Sequence, residues 1–348
     1  MTYRTSSIDT RGRETRLAVV IPCYNEQDVL PETCRRVIAL LSRLREAGKI
    51  DAASRIYFVD DGSSDATWRI IADFARDGLP VVGIKLSRNL GHQHALLAGL
   101  LSAQGDALVS IDADLQDDLH AIEAMVDRFR DGCDVVYGVR KRRDSDSVGK
   151  RLSAAIFYRL MTVLGTGTVS NHADFRLMSR RAIESLRGFR EVNLFLRGIV
   201  PLIGFRSDVV EYERGTRFAG RSKYGVREML SLALDAVTSF SVLPLRLVSL
   251  LGLTVFVGAI GVTVWALWAA LFTDRTIPGW ASVVLPMYFL GGVELLALGV
   301  IGEYLGKLYL ETKARPRYFV EQIVGDVAPE TSAECAEMRE PVQAPLER

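Results

Sequence analysis

Ala107-Leu108-Val109-Ser110-Ile111-Asp112-Ala113-Asp114 is the stretch that decides the fold. Its first five residues are apolar or small and read as a buried strand. The strand runs directly into two carboxylates one residue apart. At a strand end in an open α/β sheet, such side chains project into the crevice where ligands bind. Gln116 and Asp117 follow, so hard oxygen donors crowd one edge. That donor set suits Mg²⁺ or Mn²⁺ and, through the metal, a diphosphate. A D-x-D triplet recurs by chance; the segments around it give this one its meaning.

Working outward, strands and helices alternate. Strands are expected at 17–21, 56–59, 81–86, 107–111 and 135–138, and helices at 28–47, 64–76, 91–103 and 119–130. In the first helix Val29, Leu30, Val37, Leu40, Leu41 and Leu44 share one broad face. Ser64 or Asp65 is the expected cap of the second. This alternation predicts a mostly parallel sheet with helices on both faces. Beyond Lys141 the pattern loosens. The run Arg142-Arg143-Asp144-Ser145-Asp146-Ser147 reads as an exposed loop, and 152–164 as helical.

The chain carries 43 basic and 42 acidic residues, so its bulk charge predicts no nucleic-acid partner. Its hydrophobic share of 49% is high, and the excess is local. Residues 247–272 contain no charge, and 280–302 contain only Glu294. Each stretch can cross a hydrocarbon core of about 30 Å as a helix. Two spans are therefore expected, at 246–273 and 280–303. Arg246 precedes the first; Lys307, Lys313, Arg315 and Arg317 follow the second. The positive-inside rule puts both termini and the N-terminal domain in the cytoplasm, on a multi-pass inner-membrane protein. Residues 226–245 carry Arg227, Glu228 and Asp235 among apolar neighbours and read as an amphipathic helix at the membrane surface. The polar residues 1–16 read as a flexible tail without a signal peptide, and 304–348 as a cytoplasmic tail, disordered at its end. The four cysteines lack zinc-type spacing and are expected as reduced thiols.

Each of the first four strands ends in polar residues. Tyr24 can stack on a base and Glu26 can accept ribose hydroxyls. Asp60 or Asp61 can accept a base imide N–H. Arg88 can meet phosphate, and Gly91 lets backbone approach a ligand. In a parallel sheet these ends lie along one edge, which makes them one site. Two basic clusters can meet a further phosphate: Arg140 with Lys150 and Arg151, and Arg214, Arg217, Arg221 and Lys223. His92 and His94 lack a third ligand and read as structural.

The strings Val20-Ile21-Pro22-Cys23-Tyr24-Asn25-Glu26, Val59-Asp60-Asp61-Gly62-Ser63, Asn89-Leu90-Gly91-His92, Asp112-Ala113-Asp114-Leu115-Gln116 and Asp174-Phe175-Arg176-Leu177 carry a resemblance. Residues 17–225 resemble a family 2 glycosyltransferase of the GT-A fold. The whole chain is similar to polyprenyl-phosphate glycosyltransferases: dolichyl-phosphate mannose synthases and, more closely, bacterial undecaprenyl-phosphate glucosyltransferases of the O-antigen-modifying type. The resemblance implies a Rossmann-like catalytic domain followed by the surface helix and the two spans. It implies inverting transfer of one hexose from a nucleotide sugar, with UDP-glucose ahead of UDP-GlcNAc and GDP-mannose. It further implies a polyprenyl phosphate acceptor at the cytoplasmic face and a product used in envelope glycosylation.

By the same resemblance Pro22, Tyr24, Glu26, Asp61 and Asp112 line the nucleoside pocket. Asp114 and Gln116 bind Mg²⁺ or Mn²⁺ with Asp112 close by. The segment containing Arg217, Arg221, Ser222 and Lys223 looks like the family's loop that closes over the site. Asp174 occupies the position of a base. A lipid phosphate needs no base, because its second pKa is about 6. Asp174 is therefore expected to orient the sugar or the acceptor, or to partner Arg176. A homo-oligomer and a flippase acting downstream are further implied partners. A processive polysaccharide synthase needs a Gln-x-x-Arg-Trp motif, and no Gln here begins one. A non-catalytic membrane scaffold that binds sugar nucleotides is the alternative of another class; the intact Asp112, Asp114 and Gln116 set speaks against it.

Overall fold

The computed structural model describes residues 14–141, 172–189, 191, 195–213, 243–272, 280–313 and 315–325. The expected segments 142–147 and 152–164, and nearly all of 226–245, lie outside the described residues. So do Lys150, Arg151, Arg214, Arg217, Arg221, Ser222 and Lys223.

One eight-stranded sheet organises the region before Leu243. Its strands are β1 (Leu17–Cys23), β2 (Arg55–Asp60), β3 (Val81–Leu86), β4 (Ala107–Ser110), β5 (Val135–Arg140), β6 (His172–Ser179), β7 (Ser207–Tyr212) and β8 (Val320–Val324). The spatial order is β7-β5-β6-β4-β1-β2-β3-β8. β1 pairs in parallel with both β2 and β4, β2 with β3, and β5 with β7. β6 runs antiparallel between β4 and β5, and β8 antiparallel along β3. The sheet is therefore mostly parallel, as the alternating pattern predicts. The chain order reverses between β1 and β4, a topological switch point, and the crevice at the carboxyl ends there is where such sheets bind ligands.

Alternation along the strands builds two cores. On β1, Leu17, Val19 and Ile21 face one cluster, while Ala18 and Val20 face the other. The first cluster packs α1 (Leu30–Glu46), α2 (Thr67–Arg76) and α4 (Ala121–Arg130) on one face. The second packs α3 (His92–Ser102), α5 (Arg180–Leu186) and α6 (Leu196–Leu202) on the other. Each Val, Leu or Ile fully buried in this way contributes roughly 1.5–3 kcal/mol. Covering both faces explains why the central strands carry no polar stripe.

The start of α2 differs from the expected cap at Ser64 or Asp65. The helix begins at Thr67, whose N–H donates to Asp65 Oδ1 at 2.9 Å. Ser64 turns to Asn25 instead, its N–H donating to Asn25 Oδ1 at 2.9 Å. Contact between the β1 and β2 loops thus decides that helix start.

The apolar stretches form two long helices that touch, α7 (Leu243–Phe272) and α8 (Trp280–Thr312). Leu253, Val257, Trp265, Leu295 and Leu305 are among their exposed side chains. Among the described residues, Phe289–Thr312 is the helix long and apolar enough to cross a membrane. Beyond it, residues read from sequence as a tail carry β8, which returns to the same sheet along β3.

Candidate active site

The acidic edge is built at the end of β4. β4 is short and wholly buried, and it delivers Asp112 and Asp114 at its end. A hydroxyl on α1 fixes the turn: Thr33, fully buried, donates to the Ala113 carbonyl at 2.8 Å. Leu115 takes a left-handed φ of 57°, which folds the chain so that Gln116 N–H donates to Asp114 Oδ1 at 3.1 Å. Asp112, Asp114 and Gln116 are therefore on one rim.

Asp112 lies low in the crevice, with 38% of its side chain still open. Burial pushes its pKa up to about 6, and the Asp117, Asp174 and Asp114 carboxylates add to the rise against the opposing pull of His92. This concentration of negative charge is what a divalent cation relieves. Among the described residues, no group of three or more His, Cys, Asp or Glu side chains is arranged to hold a metal ion. Two carboxylates suffice for Mg²⁺, which takes one or two from protein and the rest from substrate phosphates and water. The donor set fits such an ion.

Asp174, on β6 and 5% exposed, is a hub. Arg176 Nη2 meets its Oδ1 at 2.6 Å, and Arg197 Nη2 meets its Oδ2 at 2.9 Å. Gln93 Nε2 donates to Oδ2 at 3.1 Å. His92 Nε2 stands 3.6 Å from Asp174 and 3.6 Å from Asp112, bridging the two acids. Burial alone raises the Asp174 pKa, but His92, Arg197 and Arg176 together hold it well below the ordinary carboxylate range. Burial works against protonation of His92, yet Asp174 and Asp112 raise its pKa above the usual value. Gln93 Oε1 also accepts from Leu196 N at 3.1 Å, which ties the first turn of α3 to the start of α6.

The other expected residues line the same edge. Pro22 is buried at the end of β1, followed by Tyr24, 38% exposed, and the half-buried Glu26. Asp61 is buried, and its two oxygens accept from the backbone N–H groups of Leu90 and Gly91 at 2.8 and 2.9 Å. It thus braces the loop that carries Arg88, whose side chain is exposed. Gly62 lets that loop come close: at φ +66°, an added Cβ there would fall 2.6 Å from Arg88 C and from Asn89 N. Asp60 is buried as well; its Oδ1 accepts from Ser63 N, at 3.3 Å. Arg140 ends β5 and is held by neighbours: its Nε donates to Tyr212 Oη at 3.0 Å, and Nη2 lies 3.6 Å from Asp117. Tyr212 in turn donates to Asp117 Oδ1 at 2.6 Å.

Sequence reasoning passed over Thr33, Gln93, Arg197 and Tyr212 and read His92 as merely structural. No local signal marks Arg197, which meets Asp174 from another element. His92 had one signal, its place in a strand-end loop on the ligand edge.

Comparison with known proteins accords with this geometry. Residues 18–187 match Glycosyl transferase family 2. An uncharacterized glycosyltransferase of Bacillus subtilis (strain 168) is 46% identical over 311 residues, which span 88% of this chain and 91% of that protein. The bactoprenol glucosyl transferase of Shigella phage SfX is 38% identical, over 88% of this chain and 99% of its own. A prophage bactoprenol glucosyl transferase homolog of Escherichia coli (strain K12) is 36% identical over the same shares, 88% and 99%. From the acidic strand end, the parallel sheet around it and these full-length likenesses, the chain belongs to glycosyl transferase family 2 and is a glycosyltransferase.

Proposed function

We propose that the protein transfers one hexose, with inversion, from UDP-glucose to undecaprenyl phosphate at the cytoplasmic face of the membrane. The carrying observation is the state of Asp174. Clamped between Arg176 and Arg197, it is a strong carboxylate with a lowered pKa, ill-suited to removing a proton. An acceptor that brings its own anionic oxygen needs no base, and a polyprenyl phosphate is such an acceptor. The relatives named as bactoprenol glucosyl transferases support the same acceptor class and sugar.

In this reading Pro22, Tyr24, Glu26, Asp61 and Asp112 seat the nucleoside, and Arg88 meets its phosphates. Asp112, Asp114 and Gln116 would hold Mg²⁺ or Mn²⁺. Such an ion offsets the charge that gathers on a departing nucleoside diphosphate. Asp174, its oxygens engaged by Arg176, Arg197 and Gln93, acts as a positioning residue: it fixes Arg197 and His92 beside the sugar so that the anomeric carbon is presented. An acceptor phosphate oxygen forms the new bond to that carbon as the bond to the UDP β-phosphate oxygen breaks. Arg140 opposes the acceptor charge, joined by Arg151, Arg217, Arg221, Ser222 and Lys223. Helices α7 and α8 serve as the two spans, with the catalytic region and both termini cytoplasmic. A flippase then carries the lipid-linked sugar outward.

The test is incubation of the purified protein and Mn²⁺ with undecaprenyl phosphate and radiolabelled UDP-glucose, UDP-GlcNAc or GDP-mannose, followed by lipid extraction. Label from UDP-glucose in the lipid phase, absent with Asp114→Ala, is the expected result. Label from another donor corrects the sugar. Folded, nucleotide-binding protein that labels lipid from none of them overturns the reading.

A further inference from the structure

We infer that residues 315–325, with β8 at their centre, form a strut that sets the height of the donor rim above the end of α8, so that sugar is delivered to a phosphate in the lipid headgroup plane. The inference rests on the lipid acceptor proposed above and on α8 crossing the membrane.

Two anchors hold the strut. The first is β8, which pairs antiparallel along the outer edge of β3, with Gly83 opposite Val324, Ile84 opposite Ile323 and Lys85 opposite Gln322. The pairing reaches the rim itself, because Ser87 N–H donates to the Phe319 carbonyl at 3.0 Å. Arg88 is the next residue, and Asp61 braces the loop two residues further on. The second anchor is Arg317, whose guanidinium donates to the Phe189 carbonyl. Phe189 lies between α5 and α6, and α6 carries Arg197. One short segment therefore grips both the donor rim and the wall that holds Asp174.

The register is locked against sliding. A Cβ added at Gly83 would fall 2.5 Å from Ile71 Cγ2 and 2.7 Å from Val324 Cγ2, so Val324 fills a notch that only glycine leaves. Lys85 Nζ pairs with Glu321 Oε1 at 2.9 Å. Tyr318 and Val320 pack against the second core cluster.

Chain length makes this connection the decisive one. Thr312 ends α8 and Val320 opens β8, a reach of at most roughly 28 Å fully extended. The other connection, from Glu213 to Leu243, can extend to roughly 100 Å. Of two tethers in parallel, the shorter limits the distance.

The test inserts ten Gly/Ser residues after Lys313, which adds about 17 Å of flexible reach. Wild type and insertion variant are assayed with undecaprenyl phosphate in liposomes and with a short, water-soluble prenyl phosphate. UDP affinity and thermal midpoint are measured alongside. The expected result is a tenfold or greater loss on liposomes, with the soluble acceptor within twofold and UDP affinity unchanged. A liposome rate within twofold of wild type overturns the strut. A parallel loss on both acceptors, or a lowered midpoint with weakened UDP binding, also overturns it and leaves the segment a folding role alone. Wild-type protein that labels neither acceptor overturns the lipid-acceptor reading itself.

Discussion

Asp174 illustrates how one carboxylate organises the crevice. Its partner Arg176 is fully buried, so neutralising the acid strands a cation inside the protein. Breaking such a pair typically costs about 3–5 kcal/mol. Asp174→Asn is expected to lower the thermal midpoint and to reduce turnover by about 100-fold or more through lost positioning. Arg197→Lys, which keeps the charge but not the fork, should preserve the midpoint and still slow turnover. Asp112 supplies a pH dependence. Its pKa rises from 3.8 to about 6 in the folded protein. Between those values the folded state holds a proton that the unfolded chain releases, so this group lowers stability as pH rises through the window. A bound cation replaces the proton and removes that cost above pH 6. Mn²⁺ should therefore raise the thermal midpoint more at pH 7.5 than at pH 5.5; equal shifts would count against Asp112 as a ligand. The acids of this rim were legible in sequence because they follow one another at a strand end. Gln93 and Arg197 were not, since they reach Asp174 from positions 81 and 23 residues away.

At the scale of elements, two contacts between a helix or loop and its neighbour set the rims. Thr33 on α1 donates to the Ala113 carbonyl inside the Asp-Ala-Asp turn. Thr33→Val keeps the shape and removes the bond, leaving a buried carbonyl short of a partner. A stability loss of about 1–3 kcal/mol is expected, with weaker Mn²⁺ binding by calorimetry. Gly62→Ala places a methyl group against the Arg88–Asn89 backbone and strains a positive φ. It should cost about 1–3 kcal/mol and weaken UDP binding, while a distant exposed substitution such as Glu46→Ala, at the far end of α1, leaves UDP affinity unchanged. Strands β1 to β5 were readable as apolar runs, helix α1 as an apolar face, and α2 to α4 from their alternation with the strands. The start of α2 was not, because Asn25 takes Ser64, one of the two residues that a local rule would make the cap, while Asp65 accepts from the first helical N–H from just outside the helix.

For the whole molecule, the informative fact is that the chain passes through two apolar helices before it completes its own catalytic sheet. β8 covers the outer edge of β3, which would otherwise present unpaired backbone groups to solvent or to another chain. A chain ending after Glu213 lacks that cover and should aggregate, visible as high-mass species in light scattering. Appending residues 315–325 through a flexible linker should restore a monodisperse domain with a higher thermal midpoint. If the shorter chain is equally stable and monodisperse, β8 has no part in holding the domain.

The amino-acid sequence alone determined the sheet's character, its acidic ligand edge and the two apolar helices. Each of these is written in local patterns of burial and polarity, which the chain carries wherever it goes. Only the tertiary structure decided that Asp174 meets Arg197, that His92 stands between two acids, and that the residues after α8 return to β3. Lys85 and Glu321 meet across 236 residues of chain. No local pattern encodes such a pairing; it exists because the fold, having buried its apolar faces, leaves those side chains at one edge.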